Sequence, residues 1–277
     1  MAPETFRALA DAIEAHDGVA AFSEQSLLNV THPAQDRVVL HLPIEREGVL
    51  VGYAQLDRGS AELAVHPDHR RQGLGAQLLD EVLAQAPDAQ VWAHGPHPGA
   101  EPLATGRGLA VTRELWMMTA PPPTDANEPE IPTDLLLTTF DAERDAEDWL
   151  AVNARAFASH PEQGRMTRAD LDARLAEPWF DASGFWLARS AVDGALLGSM
   201  WTKVSDGVGE IYVLGIDPEA QGRGLGGLLT AVSLHWFAQQ GVREIELYVE
   251  GDNASAIRTY QRAGFRRRRA DVQYARP

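Results

Sequence analysis

The chain of 277 residues contains no cysteine. That absence removes disulfides, a thiol nucleophile and any cysteine-ligated metal from its chemistry. Net positive charge is missing as well: 24 Lys and Arg against 40 Asp and Glu give a formal charge of −16. General nucleic-acid binding needs a basic footprint and is not expected, so an anionic ligand must be held by local donors. No apolar run approaches the roughly 18 residues needed to span a bilayer, which leaves no expected membrane role. The opening Met1-Ala2-Pro3-Glu4-Thr5 lacks a basic segment followed by an apolar core, so no signal peptide is expected. These absences fit a cytoplasmic enzyme. An apolar content of 44% and an aromatic content of 7% suit a soluble globular chain long enough for two domains.

What is present is a passage that occurs twice. Leu63-Ala64-Val65-His66-Pro67-Asp68-His69 leads into Arg70-Arg71-Gln72-Gly73-Leu74-Gly75-Ala76, and Leu214-Gly215-Ile216-Asp217-Pro218-Glu219-Ala220 leads into Gln221-Gly222-Arg223-Gly224-Leu225-Gly226-Gly227. Each copy has an apolar strand end, a Pro turn, a Gly-rich loop and an apolar helical run. Repetition on this scale predicts two related domains. Between them lies Ala120-Pro121-Pro122-Pro123-Thr124-Asp125-Ala126-Asn127-Glu128-Pro129-Glu130-Ile131-Pro132, which reads as a stiff linker. The expected organisation is therefore residues 1–120, a linker over 121–132, and residues 133–277. Period-2 and period-3.6 patterns place strands and helices in the same order in each half: a mixed sheet with helices between strands, an α/β (α+β) architecture built twice.

Residues 222–227 also match G-x-G-x-x-G, with Glu244 and Glu246 near the spacing of a ribose-binding acid, but Asp217 to Gln221 separate them from the strand, whereas in the dinucleotide-binding turn the glycines follow the strand almost at once. The loops fit a pyrophosphate cradle better: small residues turn backbone N–H groups inward, and the following helix adds its own unpaired N–H groups and dipole. His66-Pro67-Asp68-His69 reads as a Pro turn rather than a metal site. Arg266 to Arg269 reads as a solvated strand edge, because side chains alternate faces there.

The pattern Arg/Gln-x-x-Gly-x-Gly/Ala between a strand and a helix resembles the acyl-CoA loop of the GNAT N-acetyltransferase superfamily. The second half also carries that superfamily's late signature, Asn253-Ala254-Ser255-Ala256-Ile257-Arg258-Thr259-Tyr260-Gln261-Arg262-Ala263-Gly264-Phe265. The resemblance implies two tandem GNAT domains and acetyl-CoA as co-substrate, with no metal. Cofactor contacts then fall on Leu63 to Val65 and Arg70 to Gly75, on Leu214 to Ile216 and Gln221 to Gly227, and on Asn253 to Arg258.

Superposing Leu63 on Leu214 sets Gly59 against Glu210. Superposing Gly108 on Gly264 sets Ala104 against Tyr260 and His97 against Asn253. The first copy keeps the loop and loses the ionisable residues, so chemistry is expected in the second half alone. An amine must lose a proton before it attacks a thioester, and Glu210 is the candidate base, acting directly or through water. Tyr260 is the candidate acid for the departing thiolate, and the N–H of Leu214 or Ile216 could hold the thioester oxygen.

Within the superfamily the chain is similar to the tandem-domain mycothiol synthase family. The matching segments include Phe22 to Leu28, His160-Pro161-Glu162-Gln163-Gly164, Pro178-Trp179-Phe180, Trp201-Thr202-Lys203, Glu210 to Pro218, and Leu247 to Asn253. That resemblance implies acetylation of the cysteinyl amine of cysteinyl-glucosaminyl-inositol, with an active C-terminal domain and an inactive N-terminal one. It places substrate contacts on Glu24, Glu162, Lys203, Glu210 and Tyr248. Carboxylates suit a polyhydroxylated ammonium ligand, since each accepts several hydrogen bonds. A monomer is compatible with this reading. Two rivals stay open from sequence: a GNAT enzyme for another amine, and a non-catalytic acyl-CoA sensor.

Overall fold

The computed structural model of the protein describes residues 2–32, 37–124, 127–158 and 163–277. Its elements run α1 (Pro3–Asp17), α2 (Glu24–Thr31), β1 (Val39–Arg46), β2 (Val49–Asp57), β3 (Ser60–Val65), α3 (Leu74–Gln85), β4 (Gln90–Ala93), α4 (Ala100–Thr105) and β5 (Ala110–Ala120). They continue with β6 (Leu135–Thr139), α5 (Ala142–Ala156), α6 (Arg168–Leu175), β7 (Phe185–Ser190), β8 (Leu196–Ser205), β9 (Val208–Ile216), α7 (Leu225–Gln240), β10 (Glu244–Glu250), α8 (Ala254–Arg262) and β11 (Arg266–Ala275). None of the described helices is long and apolar enough to cross a membrane.

Contacts divide the chain into two compact units, Met1–Trp116 with Arg269–Pro277, and Met117–Arg268. This division differs from the one drawn on sequence at two places: the boundary falls at Met117, inside β5, and the chain's last residues pack with the first unit. The cause of the second is strand pairing. β11 runs antiparallel to β4, with Val272 opposite Ala93 and Tyr274 opposite Val91, so it covers what would otherwise be an open edge. Tyr274 is buried in the first unit's core.

In the first unit the strands lie in the order β1-β2-β3-β4-β11. β2 bulges beside β1, where Ile44 pairs with Gly52 and Glu45 with Leu50, so Leu50 and Tyr53 both turn toward α1 and α2, where they meet Phe6, Leu9, Ile13 and Val30. Val51 and Ala54 face the other way and meet Leu74, Leu78, Leu79 and Val82 of α3. α1 starts with Pro at its first position and ends at Gly18 in the left-handed conformation. α2 carries too few turns for a clear helical period in the sequence. It is fixed by Ser23, whose hydroxyl accepts from the Ser26 N–H at 3.3 Å.

The second unit orders its strands β6-β7-β8-β9-β10. Trp149, Val152 and Leu171 from α5 and α6 close one face over Phe185, Leu187, Trp201 and Val213. Phe185 stacks on Phe140 at 4.3 Å and on Trp201 at 4.6 Å between ring centres. α6 begins with a capping box: Thr167 and Asp170 each bond the other's backbone N–H. α7 covers the opposite face and ends at Gly241, which is left-handed at φ +66.

Candidate active site

The two loops share one backbone conformation. Arg71 and Gly73 take φ +62 and +84, and Gly222 and Gly224 take +79 and +80. Glycine suits this left-handed region; Arg71 adopts it with a side chain attached. Gly73 and Gly224 are the N-caps of α3 and α7, and neither helix has a side-chain cap, so the first-turn N–H groups stay available at each loop.

The strand before each loop adds donors. Asp217 N–H bonds Leu197 of β8, and His66 N–H bonds Val51 of β2. Backbone direction alternates along a strand, so the N–H groups of Leu214 and Ile216, and of Leu63 and Val65, point the opposite way. On that side the parallel neighbour pairs only as far as Leu247–Ile211 in one unit and Glu62–Trp92 in the other. Each copy thus ends its strand with two N–H groups beside a helix N-terminus. That donor set fits an acyl thioester with a pyrophosphate tail.

The copies diverge in the strand itself. Both hairpins turn through two positive-φ residues, Arg58-Gly59 and Asp206-Gly207. β3 has 6 residues after its turn and β9 has 9. Gly59, the counterpart of Glu210 when the loops are superposed, therefore lies in the turn. The first copy lacks the strand position, not merely the carboxylate.

β9 also carries a bulge. Trp201 pairs with Val213 and Thr202 with Ile211, which leaves Tyr212 as the extra residue. β3 keeps continuous register with β2 from Ser60 to Val65. The bulge changes which residues face which helix. A side chain on Gly209 would run into Phe237 of α7, whereas one on Gly215 would approach Phe157 beside α5.

Around this bulge the second unit gathers charge. Lys203 on β8 lies directly across from Glu210, with Nζ 4.0 Å from Oε2, and each side chain is 19% exposed. Trp179 presents its ring 4.8 Å from Nζ, and Tyr212 lies 5.6 Å away. Arg174 of α6 is buried and donates to the Tyr212 hydroxyl at 2.8 Å. Glu246 of β10 pairs with Glu210, and the half-buried Tyr248 stands two residues farther along the same strand. Sequence reasoning gave no role at this site to Trp179, Arg174 or Tyr212. The two-residue turn at Asp206-Gly207 does reveal the Lys203–Glu210 pairing by counting outward from it.

Tyr260 on α8 is 6% exposed, packed near Phe265, and burial pushes its hydroxyl well above the usual tyrosine range. Asn253 caps α8 by accepting from Ala256 N–H at 3.0 Å. Ile257 is buried below it, while Ala254, Ser255 and Arg258 are exposed. Arg223 is exposed and pairs with the exposed Asp134 at 2.8 Å. A Cβ on Gly222, Gly224, Gly226 or Gly227 would meet no atom within 4 Å, so the second cradle is open above its backbone. Glu162 lies outside the described residues. Gln163, next in its motif, is tied to Asn153 of α5 by two hydrogen bonds of 2.8 and 3.0 Å.

The first cradle is more enclosed. Arg70 donates a two-pronged pair to Asp17 at 2.8 and 2.6 Å and a third bond to the Val65 carbonyl at 3.1 Å. Hydrogen bonding to Arg70 holds the Asp17 carboxyl down at about 2, against the effect of burial. A Cβ on Gly75 would meet Leu103 at 3.6 Å. Glu24 begins α2 in this unit and is half-buried.

Comparison with known proteins agrees with the duplicated geometry. The model of the Acetyltransferase (GNAT) family matches residues 8–103 and again 147–265. A mycothiol acetyltransferase from Kytococcus sedentarius is 48% identical over 266 residues, covering 94% of this chain and 89% of its own. Another from Clavibacter michiganensis subsp. michiganensis is 49% identical over 277 residues, covering 97% and 89%. Among solved structures, a tandem GNAT protein from the clavulanic acid biosynthesis pathway superposes with a TM-score of 0.72 at 20% identity, over 98% of this chain and 93% of that one. The latter likeness shows the fold: two GNAT domains, each a mixed sheet flanked by helices. On identity and coverage, the chain belongs to the mycothiol acetyltransferase family of tandem GNAT acetyltransferases.

Proposed function

We propose that the second unit transfers the acetyl group of acetyl-CoA to the cysteinyl amine of cysteinyl-glucosaminyl-inositol, the last step of mycothiol biosynthesis. The observation that carries the location is the Lys203–Glu210 pair, whose Glu210 stands on a stretch of β9 that β3 lacks, across from Lys203 on β8. The substrate itself comes from the family.

Acetyl-CoA supplies an activated acetyl thioester. The loop from Gln221 to Gly227 and the first turn of α7 hold its pyrophosphate, and the N–H groups of Leu214 and Ile216 hold and polarise its carbonyl oxygen. Glu210 removes a proton from the cysteinyl ammonium, directly or through water, and frees the nitrogen lone pair. The C–N bond forms as the C–S bond breaks, and the second proton that the nitrogen sheds on becoming an amide goes to the departing thiolate sulfur. Tyr260 remains protonated because of its burial, and its O–H faces the task of stabilising the departing thiolate. A hydroxyl so reluctant to ionise serves better as a hydrogen-bond donor to sulfur than as a full proton donor. Lys203 and Tyr248 contact the substrate's polar groups. The deciding test is acetyl transfer across a panel of amines, with the N-acetyl product read by mass spectrometry. Preference for a polyamine, an aminoglycoside or a peptide N-terminus over the cysteinyl pseudo-disaccharide overturns the substrate. Failure to release CoA faster than spontaneous hydrolysis, with any amine, overturns the enzyme reading.

A further inference from the structure

The Lys203 ammonium lies between a pair of aromatic rings and the Glu210 carboxylate. Trp179 presents its ring 4.8 Å from Nζ, and Tyr212 presents its own at 5.6 Å. The two rings stand 5.0 Å apart between centres. Trp201, fully buried, backs both of them, with its ring 5.8 Å from Trp179 and 5.1 Å from Tyr212. A ring face attracts a cation about as strongly as a partly solvated carboxylate does. The ammonium is therefore shared between the rings and Glu210. Its distance of 4.0 Å from Oε2 exceeds that of a hydrogen bond.

This slot depends on the bulge of β9 and is braced from α6. Tyr212 is the extra residue of the bulge, so β3, which keeps continuous register, has no residue in its place. The Tyr212 hydroxyl accepts from Arg174 Nε–H at 2.8 Å. Arg174 also donates from Nη1 to the Asp170 carbonyl, one turn earlier in α6, at 2.9 Å. The Tyr212 ring cannot turn away from Lys203 without breaking a charge-assisted hydrogen bond to a buried guanidinium. Packing alone does not call for that guanidinium, since an apolar side chain of similar volume would be cheaper to bury.

We propose that Trp179 and Tyr212 are positioning residues for acetyl transfer: they hold the Lys203 ammonium off Glu210, so that the carboxylate keeps its affinity for the substrate's proton. The proposal rests on the reading of Glu210 as the base. A carboxylate that accepts a short hydrogen bond from an ammonium is held in its ionised form and becomes a weaker base. Lys203 stands directly across from Glu210 on β8 and can make that bond once the rings release it. Arg174 acts one step farther out, through the Tyr212 hydroxyl.

The test uses the full chain, with cysteinyl-glucosaminyl-inositol as the amine, in the variants Trp179→Leu, Trp179→Phe, Lys203→Met and Trp179→Leu/Lys203→Met. In Trp179→Leu the ammonium closes on Glu210, and kcat is expected to fall about tenfold while KM for acetyl-CoA stays within about twofold of wild type. Trp179→Phe keeps a ring over Nζ and is expected to hold kcat within about threefold of wild type. In the Lys203→Met background, Trp179→Leu is expected to change kcat by less than about twofold, because the ammonium that Trp179 restrains is gone; a loss of packing would persist there. Trp179→Met fills the same space with a flexible chain and takes the place of Trp179→Leu if that variant does not fold. A raised KM for the amine with kcat unchanged in Trp179→Leu, an undiminished loss of kcat in the double variant, or a Trp179→Phe as slow as Trp179→Leu would each overturn the proposal. Near-wild-type kcat in Glu210→Gln would instead overturn the base, and the proposal with it.

Discussion

The two cradles should differ in affinity for acetyl-CoA, and Asp17 should be the reason. In the first unit Arg70 is committed to Asp17 by two short bonds, with the side chains 22% and 19% exposed. Its counterpart in the second loop is the uncharged Gln221, and that loop's Arg223 pairs in the open with Asp134, where a phosphate can replace the carboxylate at little cost. The drop of Asp17 from 3.8 to about 2 corresponds to roughly 2 kcal/mol of preference for the paired anion, which solvent at the rim reduces to about 1 kcal/mol. Withdrawing Arg70 toward a phosphate therefore costs about 1–2 kcal/mol, a factor of roughly 5–30 in Kd. The sign with pH follows from the depressed value: the pair is intact above pH 3.8 and is lost only as pH falls through about 2, so the difference should be constant from about pH 6 to 8. Isothermal titration of wild type should show a tight site and a site weaker by this factor. Asp17→Asn, measured with the second loop blocked by Gly226→Val, should tighten the weak site about fivefold. An unchanged or weakened first-loop Kd in Asp17→Asn would refute the competition.

Three further outcomes check the second unit. A Cβ at Gly226 meets no atom within 4 Å, and valine is no worse than glycine inside a helix, so in Gly226→Val Tm should hold while KM for acetyl-CoA rises about tenfold or more; equal KM values would remove the first turn of α7 from the cradle. Glu210→Gln should lower kcat by about 10²–10⁴-fold, and Tyr260→Phe by about tenfold or more, at saturating substrates. Near-wild-type turnover in both variants would sink the acid–base assignment. Trp149 is fully buried and bonds Ser199 at 2.9 Å, so Trp149→Ala should cost about 3–5 kcal/mol in chemical denaturation; a loss below about 1 kcal/mol would mean that the aromatic core tolerates collapse there.

Much of the fold was legible because its signals are local. The turn at Asp206-Gly207, the stop at Gly241 and the Thr167–Asp170 cap each announce themselves within a few residues. α2 was not legible: eight residues give barely two turns of periodicity, and its N-terminus is satisfied in part by Glu62, far along the chain. The exchange that places Arg269–Pro277 in the first unit leaves no local trace either, because a strand's sequence does not state which edge it covers. At the site, superposing the loops without a gap located Glu210 but hid two causes of its uniqueness. One is the greater length of β9; the other is the bulge at Tyr212, which turns the strand's alternation over midway.

The loop geometry taken alone overstates what a cradle can do. A strand that enters a helix through two left-handed residues produces inward N–H groups whether or not a phosphate ever occupies them, because the turn requires that backbone. Both units meet that requirement, and both present two further N–H groups from the preceding strand. Their difference lies in what surrounds the donors. In the first unit a carboxylate holds the arginine and Leu103 stands over Gly75; in the second the glycines are uncovered and the arginine is exposed. Access to the first cradle is thus narrowed by side chains from elsewhere in its unit, Asp17 from the end of α1 and Leu103 from α4. Under the proposed mechanism chemistry depends on a third factor, whether the hairpin before the loop is long enough to carry a carboxylate on a strand. The duplicated motif fixes neither, so one chain can hold two nearly identical cradles with unequal affinity and a single reactive centre.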